Sequence, residues 1–417
     1  MLDINLIIND TESVVQKLHD RGYTLNVEPI LDLYHQRKQT IKLKEDIAAE
    51  KNKVTNEFKV SKTDSEREKI TKKSQDLEKK ISSNKLLLEE IENNLNNILL
   101  QIPNLPFDNV PCGSDESANI VTKTWGNPIK SSIEHSEIFM QNKLLDFESA
   151  VTISKSRFIV MKKEIAKLHR SLITYMMNLH TEKYNYTEYY VPYIVNGESM
   201  TGTGQLPKFK EDLFRIHDSD LYLIPTAEVS LTNLYRNKIL DENDLPQTLV
   251  AHTPCFRSEA GSYGKDTKGI IRQHQFEKIE LVHIVHPKNA ETALEEITLQ
   301  AESILESLEI PYQRVSLSTG DLGFAAAVTN DLEAWFPSQS KYREVSSCSC
   351  FTDFQSRRLN IKYKDKEKKK NYAFTLNGSG LAIGRTMAAL IENHTKKDVI
   401  HIPKVLHNFT GFKTIKL

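Results

Sequence analysis

The sequence predicts an α+β fold in which an N-terminal antiparallel helical hairpin, a coiled-coil arm, precedes a domain built on a central antiparallel sheet. Residues 28–101 lack glycine, contain no proline after Pro29 and are dense in charge, which indicates long solvent-exposed helices. Residues 250–285 instead read as a strand, a glycine-rich loop and a second strand. Adjacent hairpins of this kind, in place of regular βαβ units, favour an antiparallel sheet.

The bulk composition sets limits on class and location. A chain of 417 residues should form two or more domains, and its net charge of −1 restricts any nucleic-acid site to a local patch. The N-terminus carries Asp3 where a signal peptide has basic residues, and no apolar run approaches the roughly 18 residues of a membrane span. We therefore expect a cytoplasmic protein with no membrane partner. Its scattered cysteines, Cys112, Cys255, Cys348 and Cys350, predict free thiols and no zinc site.

The arm is predicted from its heptad spacing. Residues 1–27 predict a small helical cap with Thr11 or Ser13 as an N-cap. In the second half of the arm, eight of ten seam positions are apolar, so this helix should pack along a partner helix. The seam consists of Ile70, Ser74, Leu77, Ile81, Asn84, Leu88, Ile91, Leu95, Ile98 and Ile102. The first half is looser, with Ile30, Leu33, Ile41, Ile47, Ala48, Val54 and Phe58.

Residues 61–65 predict a turn and an N-cap between two helices of some 30 residues, an arm about 45 Å long. Residues 37–85 contain 15 lysines and arginines against 9 acidic residues, a net charge of +6. A solvated charged face is the usual meaning of such a run. The backbone phosphates of RNA would also bind it, and both interpretations stay open at this point.

A linker follows the arm, because Pro103, Pro106 and Pro111 interrupt helix formation. We therefore divide the chain into residues 1–104 and 105–417. In the second part, helices are predicted at residues 154–180 and 290–308, and strands at residues 221–224 and 373–376.

The hairpin at residues 250–285 carries an unusual set of polar side chains. Its first strand is predicted to include residues 256–259, its loop residues 260–269 with Gly261 and Gly264, and its return strand residues 270–282. Alternation would place Arg257 and Glu259 on one face. It would also group Arg272, His274, Phe276, Lys278 and Glu280. Such a surface suits a polyanion with a flat base, and the alternative is a hairpin with one solvated face.

Phosphate-binding loops do not account for such a ligand. The sequence has no Walker phosphate loop, and the glycines at Gly202 and Gly204 lack the third member of a dinucleotide fingerprint. A nucleotide would therefore have to be held by side chains on a sheet.

Two segments are Phe-Arg-Ser-Glu-Ala-Gly at residues 256–261 and Arg-Gln-His-Gln-Phe-Glu-Lys-Ile-Glu at residues 272–280. Together they resemble motif 2 of class II aminoacyl-tRNA synthetases, specifically the seryl-tRNA synthetase family. Residues 186–193 resemble motif 1, with Asn185 where the family has glycine, and residues 376–386 resemble motif 3. Residues 200–209, 225–228 and 344–347 are similar to three further family segments. The resemblance covers the second domain almost end to end and implies a class II catalytic domain.

The resemblance implies a role for each matching residue. Arg257 would grip the α-phosphate of ATP and the serine carboxylate, and Arg385 the γ-phosphate. Glu259 would bind the adenine amino group and Phe276 would stack on adenine. The implied serine site comprises Thr226, Ala227, Glu228, Arg257, Glu280, Asn377 and Ser379. The implied ATP site comprises Arg257, Ser258, Glu259, Phe276, Glu344, Val345, Ser346, Ser347 and Arg385.

The implied cofactor is Mg²⁺, held by Glu344 and Ser347, with ATP as a substrate. The implied reaction joins L-serine to ATP as seryl-adenylate with release of pyrophosphate, then transfers serine to the 3′ end of tRNA(Ser). Whether tRNA(Sec) is also charged stays open. The arm would bind tRNA, and motif 1 implies a homodimer. Two rivals remain: a non-catalytic relative that only binds tRNA, and a ligase that acts on a carrier protein.

Overall fold

The computed structural model describes residues 1–130, 133–260 and 269–417 and divides into two compact units. The helical unit contains Asp3–His19 and Thr24–Ile102. The larger unit contains Met1–Leu2, Asp20–Tyr23 and Pro103–Leu417. The units therefore change at Ile102 and Pro103, close to the predicted division between residues 104 and 105.

The helical unit is built from α1 (Ile4–Asn9), α2 (Thr11–Asp20), α3 (Glu28–Val60) and α4 (Asp64–Leu99). Asp3 caps α1 by accepting a hydrogen bond from the Asn5 backbone. The prediction that Thr11 or Ser13 is an N-cap was wrong, because both residues lie inside α2. Helix α3 has 33 residues and α4 has 36, so each is about 50 Å long or slightly more.

The predicted hairpin is present as α3 and α4. Thr63 and Glu66 form a capping box at the start of α4, where the turn was expected. All ten predicted seam residues are buried or half-buried, although Ile102 lies beyond the end of α4. Asn84, one of the two polar seam residues, donates its amide to the Thr40 carbonyl of α3 at 3.3 Å. Of the looser first half, Ala48 and Phe58 are exposed.

The larger unit combines strands and helices. Its strands are β1 (Ile120–Trp125), β2 (Leu145–Asp146), β3 (Val160–Met161), β4 (Thr187–Glu188), β5 (Ile194–Asn196), β6 (Leu221–Leu223), β7 (Ile239–Asp241), β8 (Gln247–Phe256), β9 (Gln275–Val285), β10 (Tyr312–Ser316), β11 (Val328–Phe336), β12 (Lys341–Cys350), β13 (Lys362–Lys364), β14 (Lys370–Tyr372), β15 (Phe374–Ala382), β16 (Thr395–Lys396), β17 (Val399–His401) and β18 (Thr414–Lys416). Its helices are α5 (His135–Gln141), α6 (Phe147–Ile153), α7 (Lys163–Asn178), α8 (Gly197–Thr203), α9 (Ala227–Asn233), α10 (Ala290–Ser307), α11 (Phe354–Leu359), α12 (Ile383–His394) and α13 (His407–Thr410). In the described chain, no helix has the length and apolar character needed to cross a membrane.

Eight of the described strands form the central sheet in the order β1-β10-β11-β12-β15-β9-β8-β4. Neighbours are antiparallel except β4 and β8, which run parallel. One face packs against α10: a Cβ added to Gly378 of β15 would lie 2.2 Å from Ile297 Cγ2 of that helix. Since successive residues alternate faces, the neighbours of Gly378 project from the other face of the sheet.

The structure corrects the predicted limits of the β8–β9 hairpin. Strand β8 ends at Phe256 and β9 begins at Gln275, so residues 257–259 and 270–274 lie outside the ladder. Glu259 has φ +54°, a left-handed conformation that an extended strand cannot accommodate. Alternation along a strand therefore does not explain where Arg257, Glu259, Arg272 and His274 point. The predicted loop glycines Gly261 and Gly264 lie outside the described residues.

Two further predictions concern residues that precede β4 in the chain. The helix predicted at residues 154–180 begins only at Lys163, because residues 160–161 form β3 and pair with β2. Asn185, which replaces the expected glycine before motif 1, has φ +58°. Asparagine tolerates this left-handed conformation better than most side chains.

A buried hydrogen-bonded pair joins α5 to α12. His135 Nδ1 lies 2.7 Å from Glu392 Oε1, and the Ser338 backbone donates to Glu392 Oε2 at 3.1 Å. Burial alone would raise the pKa of Glu392, but the hydrogen bonds from His135 and Ser338 outweigh burial and lower it. A depressed carboxyl pKa stabilises the fold above the unfolded pKa, and this stabilisation is lost as pH falls through the folded pKa.

We expect Glu392→Gln to destabilise the protein at neutral pH by about 1–3 kcal/mol, because hydrogen bonds to a charged, buried acceptor contribute about that much. The variant should also lose part of the wild-type fall in stability below about pH 4.3, where a free glutamate protonates. Urea unfolding between about pH 3 and pH 7 measures both effects. Glu188→Gln, at an exposed position of β4, is the control; identical pH profiles for the Glu392→Gln and wild-type proteins would contradict this account.

Candidate active site

The face of the central sheet opposite α10 forms the floor of a cavity of about 710 Å³. Arg257 follows β8, Glu280 lies in β9, Ser379 lies in β15 and Arg385 lies in the first turn of α12. All four side chains line this one cavity. Residues separated by up to 128 positions in sequence therefore share a single site.

Strand register brings the floor together. Glu280 of β9 lies directly opposite Ser379 of β15, and opposed residues of an antiparallel pair share a face. An irregularity between Ser379 and Ala382 then places Ala382 opposite Lys278. Lys278, Glu280, Ser379 and Ala382 all line the cavity, together with Asn377.

Glu280 is the centre of a buried polar group in this floor. Its side chain is 1% exposed, and its Oε2 accepts a hydrogen bond from Thr226 Oγ1 at 2.9 Å. Lys278 forms an ion pair with the same carboxylate and donates to Thr226 Oγ1 at 3.1 Å. A carboxylate fixed in this way can still accept a hydrogen bond from a small polar ligand in the cavity.

Glu228 is a second buried acid beside Glu280. Thr226 caps α9 by accepting from the Glu228 backbone at 3.2 Å, which fixes Glu228 in the first turn. Gln355 Nε2 donates to Glu228 Oε1 at 2.6 Å and to the Thr203 carbonyl at 3.2 Å. Burial, followed by the charge of Glu280, raises the pKa of Glu228 to about 7. A cationic ligand would ionise this acid and bind tightly to it.

Cationic groups line the cavity above this floor. The Arg257 guanidinium lies 5.3 Å from the centre of the Phe276 ring, and its Nε donates to the Pro225 carbonyl at 3.3 Å. Arg385 Nε donates to the Ile271 carbonyl at 3.0 Å and Arg385 Nη1 to the Glu344 carbonyl at 2.9 Å. These contacts hold both guanidinium groups at the cavity wall, where they can bind phosphate or carboxylate oxygens.

Glu344 and Ser347 reach the cavity through a β-bulge in β12. Val345 is the extra residue, since Leu332 pairs with Ser346 whereas Glu333 pairs with Glu344. In a regular strand, residues three apart face opposite sides; the bulge turns Glu344 toward the side of Ser347, and both line the cavity.

Two neighbouring acids at this wall, Glu344 and Asp331, have pKa values shifted in opposite directions. Partial desolvation opposes ionisation of Glu344, whose side chain is still 49% exposed, but Arg385 and Arg257 outweigh it and lower the pKa of Glu344. Burial and the charge of Glu344 raise the pKa of Asp331 well above its ordinary value.

Comparison with known proteins identifies the family. Residues 1–106 match the family model for the seryl-tRNA synthetase N-terminal domain, and residues 209–394 match that for the tRNA synthetase class II core domain (G, H, P, S and T). The serine–tRNA ligase of Francisella philomiragia subsp. philomiragia is 47% identical over 420 residues, which cover 99% of each chain. The chain belongs to the seryl-tRNA synthetase family.

Two further relatives support the same family assignment. The serine–tRNA ligase of a Sulfurihydrogenibium species is 56% identical over 325 residues, 77% of this chain and 78% of the relative. The crystal structure of seryl-tRNA synthetase from Pyrococcus horikoshii complexed with ATP superposes with a TM-score of 0.92 at 36% identity and covers 100% of this chain and 99% of that one. The α+β class II fold and the helical arm are thus confirmed, and the chain is a ligase of the aminoacyl-tRNA synthetase type.

Most residues that the resemblance to seryl-tRNA synthetases singled out lie around the cavity. These are Thr226, Glu228, Arg257, Glu259, Phe276, Glu280, Glu344, Val345, Ser347, Asn377, Ser379 and Arg385. Three others do not line it: Ala227 is fully buried in α9, Ser258 donates to the Glu211 carbonyl, and Ser346 donates to the Ser379 carbonyl at 2.7 Å. Ser346 therefore supports the backbone of a cavity residue.

Sequence reasoning placed Lys278 and Arg272 on a face suited to a polyanion but gave neither an individual partner, and it gave Gln355 no role. Lys278 pairs with Glu280, and Arg272 pairs with Glu259 at 3.0 Å, so both cations shape the groups expected to bind substrate. Both residues lie in the motif 2 segment that also contains Glu280, and this position could have indicated that they belong to the site. Gln355, which holds Glu228, had no such signal, because it lies 127 residues further along the chain.

Proposed function

We propose that this chain activates L-serine with ATP in the cavity and then transfers the seryl group to tRNA(Ser). The supporting observation is the arrangement of two buried acids, Glu228 and Glu280, beside two guanidinium groups, Arg257 and Arg385, around one cavity. A site with this charge pattern can hold the amino acid by its ammonium and hydroxyl groups while the arginines bind phosphates. The Pyrococcus relative was crystallised with ATP, which supports the choice of nucleotide.

In this proposal, Glu228 binds the serine ammonium group. Glu280 accepts a hydrogen bond from the serine hydroxyl, with Ser379, Asn377 and Thr226 completing the pocket. Alanine would leave Glu280 without that partner, and an unpaired buried acceptor costs about 1–3 kcal/mol or more if charged. The pocket therefore selects serine through a hydrogen bond as well as by size.

The nucleotide is assigned to the other side of the cavity. Phe276 stacks on adenine, and Arg257, whose guanidinium lies 5.3 Å from the centre of the Phe276 ring, binds the α-phosphate. Glu259 is oriented toward the adenine amino group by its ion pair with Arg272. Arg385 binds the γ-phosphate, for which its place in the first turn of α12 is favourable, since helix N-termini attract phosphate.

The Glu344 carboxylate and the Ser347 hydroxyl fit a bound Mg²⁺, since both are hard oxygen donors that the β12 bulge brings to the cavity wall. No cluster of three or more histidine, cysteine or acidic residues in the described chain is arranged for a metal ion. A site with few protein ligands suits Mg²⁺, because this ion keeps waters and substrate phosphates. When bound, it would neutralise phosphate charge.

The chemistry needs no protein nucleophile. The serine carboxylate attacks the α-phosphorus in line, the bond to the bridging oxygen breaks, and pyrophosphate leaves with its electrons. Arg257 and Arg385 stabilise the charge that develops on the phosphate oxygens. In the second step, a ribose hydroxyl of the terminal tRNA nucleotide attacks the seryl carbonyl, and AMP leaves.

We assign tRNA binding to residues 1–104 and catalysis to residues 105–417. The net charge of +6 over residues 37–85 supports contact of the arm with tRNA phosphates. We also propose a homodimer through motif 1, in which Tyr190 is 90% exposed and after which Ile194 is 46% exposed. A cytoplasmic location stays a prediction, which cell fractionation tests, and charging assays decide the open question of whether tRNA(Sec) is a substrate.

Exchange of labelled pyrophosphate into ATP, with serine and without tRNA, tests the proposed function. Rapid serine-dependent exchange is expected, with alanine and threonine much poorer. Lack of exchange by protein that a thermal melt shows to be folded would favour the non-catalytic tRNA-binding alternative and overturn the proposal.

Shortening the arm separates tRNA from a carrier protein as the acceptor. A variant in which residues 51–78 are replaced by a short glycine-rich turn should keep serine-dependent exchange and lose most tRNA charging. The deleted ends are adjacent in the hairpin, because Lys51 Nζ lies 3.1 Å from Glu78 Oε1. Unchanged tRNA charging at physiological salt would show that the arm tip does not bind tRNA.

Serine binding should depend on pH through Glu228. The pKa of Glu228 is raised to about 7 by burial and by Glu280, and only the ionised form attracts the serine ammonium group. We therefore expect KM for serine to rise as pH falls below about 7, up to tenfold per pH unit. Glu228→Gln should raise KM at all pH values and abolish this dependence, and a wild-type KM that is flat from pH 8 to pH 6 would contradict the assignment.

A further inference from the structure

A six-residue segment between β10 and β11 forms one wall of the cavity. This wall segment, residues 322–327, contributes Gly323, Phe324, Ala325 and Ala326 to the cavity lining. Such a connection ordinarily exposes its carbonyl groups to water. Here each of the six carbonyl oxygens accepts a hydrogen bond from one of three residues that lie more than 200 positions earlier in sequence: Arg21, Asn104 and Phe107.

Arg21 makes the largest contribution. Its Nη2 donates to the carbonyls of Leu322 and Gly323 at 3.0 and 2.7 Å, and its Nη1 donates to that of Ala326 at 2.9 Å. Its Nη1 also donates to the carbonyl of Asn104. Burial lowers the pKa of Arg21 to about 10, so its charge persists at neutral pH. Because the guanidinium is planar and rigid, it holds several carbonyls in one arrangement.

Asn104 and Phe107 complete this set. The Asn104 backbone donates to the Phe324 carbonyl at 3.0 Å, and its side-chain amide donates to the carbonyls of Ala325 at 2.9 Å and Phe351 at 2.8 Å. The Phe107 backbone donates to the Ala327 carbonyl at 3.0 Å. Phe351 also lines the cavity, so Asn104 contacts two separate parts of its wall.

The wall segment adjoins the part of the cavity that contains Glu228. A Cβ added to Gly204 would lie 3.4 Å from Ala325 Cβ, which places the wall segment against the end of α8. The preceding carbonyl, that of Thr203, accepts from the Gln355 amide that also donates to Glu228. A shift of the wall segment would therefore displace the Gly204 turn and, through Gln355, the carboxylate assigned to the serine ammonium group.

We propose that Arg21 and Asn104 are positioning residues for amino-acid binding, which act by holding the wall segment against Gly204. The inference rests on the proposed function, because it assumes that serine occupies the Glu228 side of the cavity. Arg21 lies in Asp20–Tyr23, the segment that separates the two parts of the helical unit along the chain, and Asn104 and Phe107 follow that unit.

The test uses Arg21→Met and Asn104→Ala in the full-length protein. Each should raise KM for serine in pyrophosphate exchange by roughly tenfold or more, since small displacements of positioned groups have effects of this size. KM for ATP should change by less than about twofold, because the wall segment adjoins Glu228 whereas Phe276 and Arg385 are assigned to the nucleotide. Arg21→Lys should restore part of the serine affinity, because an ammonium can still donate to the carbonyls.

Arg314→Met is the matched control for loss of a partly buried arginine. Arg314 lies in β10 and pairs with Glu302 and Glu295 of α10, outside the cavity lining. It should lower the melting temperature without changing KM for serine. If Arg21→Met and Asn104→Ala lower only the melting temperature or the active fraction, or raise both KM values equally, the positioning role is wrong. Absence of exchange in the wild type would instead refute the proposed function.

Discussion

Glu280→Ala is expected to abolish serine-dependent pyrophosphate exchange while leaving the protein folded. Glu280 is almost fully buried, accepts from Thr226 and pairs with Lys278, so its removal deletes the hydroxyl acceptor and leaves a buried ammonium unpaired. Breaking a buried pair of this kind costs about 3–5 kcal/mol. If the same amount of free energy is lost from serine binding, kcat/KM for serine should drop by roughly 10²- to 10⁴-fold. Initial rates of exchange over a range of serine concentrations measure it.

The adjacent acid on the same strand provides the control. Glu277 lies in β9 beside the cavity residues but is absent from the lining, and its carboxylate lies 2.8 Å from His252 Nε2. Glu277→Ala should retain near-normal exchange. Discrimination is the second readout: the preference of the wild type for serine over alanine should nearly disappear in Glu280→Ala. An unchanged KM for serine in that variant would refute the assigned role.

Arg257→Lys should reduce kcat for exchange by roughly 10²- to 10³-fold, despite conservation of charge. Arg257 is held by the Pro225 carbonyl and by the face of Phe276, so its planar guanidinium is oriented before substrate binds. A lysine supplies a point charge without the paired, fixed donors that match phosphate oxygens. Removal of one preorganised donor at developing charge typically costs about 10²–10³ in kcat.

Rapid-quench measurement of seryl-adenylate formation isolates this step from product release. Arg215→Lys is the control, because Arg215 also packs on an aromatic ring, that of Tyr222, but lies outside the cavity lining. It should leave adenylate formation unchanged. A normal single-turnover rate in Arg257→Lys would show that charge alone suffices, and the proposed orientation of the guanidinium would then be wrong.

Local features of the structure were predicted from the sequence more accurately than features that depend on residues far apart in the chain. The heptad seam of α4 was predicted residue by residue, because burial along a helix follows a period that the sequence displays directly. The hairpin of β8 and β9 was predicted, but both predicted strands extended too far into the loop. The left-handed conformation of Glu259 ends the extended strand, and no side chain in the sequence signals it, since Glu259 is not a glycine.

Family resemblance predicted the chemistry of the site better than periodicity did. Glu344 and Ser347 are three residues apart, so strand alternation alone would place them on opposite faces; the bulge at Val345 brings both to the cavity. Ser258 and Ser346 lie within matching segments, yet neither lines the cavity, and their hydroxyls donate to the backbone carbonyls of Glu211 and Ser379.

By itself, the sequence determined the helical arm, the antiparallel class of the sheet and the types of residue in the cavity. Periodicity, turn residues and short motifs are local properties, and each is carried by neighbouring residues. Only the tertiary structure decided which side chains face the cavity, how Gln355 holds Glu228, and how Arg21 and Asn104 hold the wall segment. These contacts depend on strand register and on hydrogen bonds between residues 100 to 300 positions apart, and no local pattern in the chain specifies such partners.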